Sequence, residues 1–156
     1  MNKPIHKAAA LVFVLTGAVF GLIALPAMAQ EEGIIKYRQS VMKANSAHFS
    51  AIAGILKGQV NFTDDLKIHA RALADLAKIA DHVFPEGSDF SVTRAKEEIW
   101  SKPQEFKKVM MAFQMESAKL ATIAEGGDIK AFGAQFKALG KNACGTYHKA
   151  FREKKK

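Results

Sequence analysis

The sequence predicts an all-α protein, an antiparallel four-helix bundle. Apolar residues recur every three or four positions through four stretches of about twenty residues. The joints between those stretches are short and rich in Gly, Pro and Asp, and runs that alternate apolar and polar residues are nearly missing.

The chain opens with a different kind of segment. Lys3, His6 and Lys7 make a basic start, Ala8 to Leu25 carries no charge, Pro26 breaks the run, and Ala27-Met28-Ala29 supplies small residues at signal-peptidase spacing. This reads as a secretory signal peptide over residues 1–29, cleaved after about Ala29, followed by one domain over 30–156. A retained membrane anchor fits the length of the run but not its A-x-A exit.

The first helix is expected from about Glu32 to Lys57, with Ile35, Met42, Phe49, Ile52 and Leu56 on its apolar stripe and Gly58 at its end. The second starts at Thr63 as N-cap, with Asp64 and Asp65 on the positive end of the dipole. It carries Leu66, Ala70, Leu73, Ala77, Ala80 and Phe84 before Pro85-Glu86-Gly87 stops it. A polar loop from Ser88 to about Thr93 leads to a short turn with Ile99 and Trp100. The third helix begins near Pro103, which a first turn tolerates, and ends at Gly126-Gly127. Asp128 caps the fourth, whose inward residues are Ile129, Phe132, Phe136, Leu139 and Ala143.

Charge and cysteine content narrow the function. Lys3 and Lys7 carry two of the +8 net charges, leaving +6 on the expected mature chain, and the excess is concentrated at Arg152 to Lys156. A basic exported protein suits acidic partners or anionic lipid, although a solvated, frayed tail is the preferred account of REKKK; nucleic acid is not expected outside the cytoplasm, and no interleaved basic and aromatic residues support it. The single cysteine, Cys144, has no partner for an internal disulfide. Burial, intermolecular pairing and covalent capture are its alternatives.

That cysteine lies in NACGTYHKAF, Asn142 to Phe151. On a continuous helix Cys144, Tyr147 and His148 would share a face. A C-x-x-C-H run in that geometry marks haem attachment, but its second thiol is here replaced by Tyr147. Half of a zinc or copper site is another reading, undersupplied because His48, His69 and His82 are scattered singly and no second cysteine exists. Met42 sits in the apolar stripe, where methionine usually fills core, and Met110, Met111 and Met115 read the same way. Arg38 and Gln39 lie one turn before Met42; a guanidinium so near a core stripe needs an anion, solvent or Glu31 to meet it. Phosphate-binding loops, H-E-x-x-H and a supported nucleophile are missing, which argues against an enzyme.

YRQSVM at Tyr37–Met42, EEIW at Glu97–Trp100, the step on to Phe106, and Cys144–His148 followed by KAFREK occur in one order along this helical chain. Together they resemble the cytochrome c-prime family, the class II c-type cytochromes, over essentially the whole mature chain. The resemblance implies a haem-binding antiparallel bundle. By it, His148 is the proximal iron ligand, Cys144 forms a thioether, Arg38 and Gln39 bond the propionates, and Trp100 and Phe106 line the pocket with Tyr147 beside them. Arg152 is the basic residue that tunes His148. Met42 falls where low-spin members place their second axial ligand, and Met/His ligation suits single-electron transfer.

Tyr147 cannot add to a vinyl group, so at most one thioether forms. Three readings follow: haem held by Cys144, His148 and Met42; haem held without a covalent bond; or the family fold without haem. The first is preferred, because Arg38, Gln39, Met42, Trp100 and His148 together make sense around a cofactor. The expected function is periplasmic electron transfer between redox partner proteins, acidic ones included, with no stable membrane insertion once the leader is removed. The resemblance also makes a homodimer one expected state. A gas-binding or protective haem protein with an open distal site is the alternative.

Overall fold

The computed structural model describes the backbone of residues 24–90 and 93–154, and side chains in those ranges from residue 32 onward. Residues 1–23, which hold most of the expected leader, lie outside the described residues. Helix α1 spans Ala24–Leu56, α2 Leu66–Ile79, α3 Glu98–Ser101, α4 Pro103–Glu125, α5 Ile129–Leu139 and α6 Thr146–Phe151. Helices α1, α2, α4 and the α5–α6 unit are the four members of the bundle, and α1 packs on α2, α2 on α4, and α4 on α5. Helices dominate the described residues; the one extended feature is an isolated antiparallel bridge between Ala95 and Arg152.

Several boundaries differ from the sequence reading. Helix α1 starts at Ala24, with Pro26 in its first turn, where the lost N–H costs nothing. Thr63 does not cap α2: it opens a 3₁₀ turn, Thr63–Asp65, whose N-cap is Phe62, and the α-helix begins at Leu66. Helix α2 ends at Ile79, and the chain turns through Ala80 to Phe84 while keeping Ala80, Val83 and Phe84 buried. Asp128 does cap α5, its Oδ1 accepting from the N–H groups of Lys130 and Ala131 at 2.9 Å each. Gly127 precedes it with φ +71°, a left-handed conformation that closes α4 without a Cβ penalty.

The largest departure is in the fourth helix. It is interrupted at Gly140–Gly145, which winds as a π-helix before α6 resumes the α-form. Gly140 begins this turn where a Cβ would come within 3.1 Å of the Phe49 ring, so its bare backbone lets α1 approach. The i→i+5 winding adds a residue to the turn and re-aims everything after it.

The interior has two apolar clusters. One gathers Ile52, Ile55, Leu66, Leu73, Leu120, Phe132 and Leu139 from all four members. The other gathers Val41, Val83, Phe84, Ile99, Phe106, Met110 and Phe151 toward the end that carries α3 and α6. Phe113 packs against both and joins them. Each large ring so buried stabilises by about 3 kcal/mol relative to a truncated side chain.

Candidate haem-binding site

The second cluster is where the expected site residues converge. Met42, Trp100 and Tyr147 pack against its core, and Phe106 belongs to it. The Tyr147 ring lies 6.3 Å from Phe84, 6.4 Å from Phe106 and 6.3 Å from Phe151, with the His148 imidazole 5.6 Å away at the cluster's edge. Burial pushes the Tyr147 phenol up to about 12, against the favourable field of Arg38, Arg152 and Arg94. A tyrosine in this box is a neutral ring.

Arg38 is the best anchored of these residues. Its guanidinium is 2% exposed, donating to Ser88 Oγ and to the Ser88 carbonyl at 2.8 Å each, and at longer range to Thr93 Oγ1 (3.3 Å) and the Val83 carbonyl (3.5 Å). It also lies over Phe84, 4.9 Å from the ring centroid, and Trp100, 5.9 Å away. Every one of these partners is neutral. Desolvation lowers its affinity for the proton, and among the described residues no carboxylate forms an ion pair with it. The Glu31 side chain, one expected partner, lies outside the described residues. Gln39 next to it is on the exposed side of α1.

The loop that receives Arg38 is fastened from several sides. Ser88 Oγ donates to the Pro85 carbonyl at 2.7 Å, and Trp100 Nε1 donates to that same carbonyl at 2.9 Å. Trp100 thereby ties α3 to the end of the α2 turn. Beside it runs a cleft of about 340 Å³ walled by Phe84, Ile99, Trp100, Pro103 and Phe106, with Asp81, His82, Glu86 and Lys107 at its rim. That is the lower end of the range for ligand pockets.

Cys144 departs from expectation. The π turn sends its thiol toward the first cluster, whereas Tyr147 faces the second. Cys144 and Tyr147 therefore pack against different clusters, which Phe113 joins. Burial pushes the Cys144 thiol up, keeping it neutral. The turn itself is braced by Glu116 of α4: Gln135 Nε2 donates to Glu116 Oε2 at 2.6 Å, and Asn142 Nδ2 approaches Oε1 at 3.4 Å. Arg152, just past α6, is held by pairing with residues 94–96, where Lys96 N–H donates to the Phe151 carbonyl and Glu153 N–H to the Arg94 carbonyl.

Burial first, then the positive charges of Arg152 and Arg94, lower the pKa of His148, favouring the neutral imidazole that an iron ligand must be. This donor set, with a buried cation held by neutral groups among the described residues and a wall of aromatic rings, fits an apolar dianionic macrocycle. Only the second thiol is missing.

The profile of the family described as Cytochrome C' matches residues 33–152. This chain belongs to the cytochrome c' family. A cytochrome c' of Pararhodospirillum photometricum is 34% identical over 126 residues, covering 80% of this chain and all of the relative. One from Rhodospirillum rubrum is 35% identical over 119 residues, 76% of this chain and 80% of the relative. Among solved structures, cytochrome c prime from Shewanella frigidimarina matches with a TM-score of 0.75 at 30% identity, covering 80% of this chain and 97% of its own. A ferrous variant of the Alcaligenes xylosoxidans protein with bound NO matches with 0.73 at 31% identity and the same coverage. Haem is the cofactor of this family, and the four-helix bundle is its fold.

The sequence reading missed Phe84, Ser88 and Arg94. Phe84 fits an apolar stripe by spacing, and its place under Arg38 depends on the turn after α2. Ser88 sits in a loop whose only signal was the need of Arg38 for acceptors. The histidines read as single residues include a pair: His48 and His69 approach across α1 and α2.

Proposed function

We propose that this chain is an exported, periplasmic cytochrome that carries single electrons between redox proteins, its haem iron ligated by His148 and Met42 and tethered through Cys144 alone. The observation that carries the reading is the placement of Met42. Its thioether packs in the same apolar cluster as Tyr147, the neighbour of His148, on a helix whose Arg38 is one turn away. When bound, haem supplies a one-electron iron couple, which Met/His ligation biases toward the reduced state.

The chain's own residues do the rest. His148 offers a neutral lone pair; Arg38, buried among neutral partners in the described residues, suits a propionate; Gln39 is the second polar group at that edge. Trp100, Phe106 and Tyr147 exclude water, which raises the worth of every charge inside. Arg152 places a positive charge beside His148 and makes it a weaker base. Basic residues, with the Arg152–Lys156 tail among them, guide an acidic partner to the exposed edge. Residues 1–29 serve as the leader and 30–156 as the cytochrome domain. Among the described residues no helix is long and apolar enough to cross a membrane. A homodimer through the first helices accords with the family.

A second reading, gas binding at an open distal site, is favoured by relatives solved with NO or with carbon monoxide bound. Met42→Leu separates the two. The electron-carrier reading expects a low-spin absorption spectrum that turns high-spin in the variant, with carbon monoxide affinity gained. A parent spectrum already high-spin and unchanged by the substitution would contradict Met42 ligation and favour the gas-binding reading.

A further inference from the structure

His48 of α1 and His69 of α2 meet across the helix pair, Nδ1 to Nδ1, at 2.9 Å, with ring centroids 5.2 Å apart. Each nitrogen points at the other, so the contact is an N–H···N hydrogen bond in which one ring donates and the other accepts. Both rings are partly buried. Ile52 follows His48 at one-turn spacing, Leu66 and Leu73 flank His69 in the same way, and all three lie buried in the first apolar cluster. The bond closes the outer edge of the seam where α1 packs on α2.

The atoms fix how many protons this bond tolerates. In the neutral pair the acceptor ring carries its proton on Nε2 and the donor ring on Nδ1. A first added proton goes to the free Nε2 of the donor ring, which leaves the bond in place and makes it charge-assisted. A second has only the accepting Nδ1 to occupy. It removes the lone pair that holds the bond and sets two imidazolium ions against each other.

We propose that His48 and His69 form an acid-operated brace between α1 and α2, closed while the pair carries no more than one extra proton and opened by the second. The helices it joins build the haem end: α1 carries Arg38 and Met42, and the turn after α2 carries Phe84, with Ser88 just beyond. Losing the bond loosens the register of one helix against the other. The brace is a property of the bundle and does not depend on how haem is held.

The surroundings leave the pair to its own charges. By helical spacing Asp65, one turn before His69, shares its stripe, whereas Lys43 and Lys57 on α1 and Lys67 and Arg71 on α2 lie on other faces. Helices α4 and α5 bring Phe113, Leu120, Phe132 and Phe136 to the cluster beneath. Among the described residues His69 is the one group whose charge acts on His48; burial first, and that charge second, lower the pKa of His48. With the folded value below the ordinary 6.5, the unfolded chain takes the proton first. The brace's contribution is complete well above that pH and is lost as pH falls through it.

The test uses the full exported protein labelled with ¹⁵N at histidine. A titration from pH 8 to pH 4 followed by NMR should show the two rings taking up protons in separate steps, the second below pH 6.5. Only the second step should move the bonded Nδ1 to the position of an open imidazolium. Urea unfolding at pH 7.5 and pH 5 gives the other measurement. Between them the folding constant of the parent should fall about tenfold more than that of the His48→Gln/His69→Gln double variant, which has no titratable ring at the seam. Equal losses in the two proteins, or two rings titrating together near pH 6.5, would overturn the brace. Should the double variant fail to fold, the ring titration of the parent decides by itself.

Discussion

Arg38 and Ser88 form the tightest side-chain link between α1 and the loop after α2, two 2.8 Å hydrogen bonds spanning 50 positions of sequence. One bond takes the Ser88 hydroxyl and the other its carbonyl, so the planar guanidinium is clamped at both ends of one residue. A lysine could not do this with a single nitrogen. The arrangement holds a full positive charge in the interior among neutral groups, beside the aromatic wall of the site.

Arg38→Ala should therefore weaken the fold and the cofactor site together. It strands the Ser88 carbonyl, takes a donor from the Ser88 hydroxyl, which keeps its bond to Pro85, and removes two ring contacts, a loss on the order of 3 kcal/mol. Urea unfolding should register that loss, with Arg38→Lys between the parent and the alanine variant. An unchanged midpoint would show that Ser88 is satisfied without the guanidinium.

Tyr147 gives a pH dependence of definite sign. Its folded pKa, about 12, stands above the ordinary value of 10, so the unfolded chain loses the phenolic proton first. Its contribution is complete below pH 10 and is lost as pH rises from 10 toward 12. Tyr147→Phe should remove this alkaline slope, roughly 2 kcal/mol across the window, with little change at neutral pH. Equilibrium unfolding of both proteins at pH 8 and pH 11 measures the difference.

Glu116→Ala should loosen the π turn. It removes the carboxylate that accepts from Gln135, which is 5% exposed, and that draws in Asn142. Gln135 Nε2 keeps its bond to the Glu116 carbonyl at 3.1 Å, so losing the charged acceptor costs about 1 kcal/mol. Hydrogen exchange should rise at residues 140–146 and stay unchanged in α2.

How far the sequence could show this site depends on the residue. The four apolar stripes, the Asp128 cap and the Gly126-Gly127 stop are local signals that agree with the end of α1, the start of α2, both ends of α4 and the start of α5 within a few residues. Helix α1, by contrast, begins eight residues before Glu32, and α2 stops five before Phe84. Phe106, Trp100, Met42 and Tyr147 share a cluster as the family pattern implies. The π turn was not legible, because Gly140 to Gly145 has no proline or other marker of altered winding; the close approach of Phe49 at Gly140 is a tertiary fact. For that reason a continuous-helix argument does not describe how Cys144 and Tyr147 pack against two different clusters. Nor could spacing reveal the pairing of His48 with His69, which depends on the register of α1 against α2.

The most direct test is the alkaline pyridine haemochrome spectrum of the protein exported with haem-maturation machinery, read beside a haem-stained denaturing gel of the parent and Cys144→Ala. A haem held by one thioether gives a band between the two-thioether and free-vinyl positions, with stain on the parent and none on Cys144→Ala. A free-vinyl band without stain on the parent would contradict attachment through Cys144, and a colourless protein would contradict the cytochrome itself.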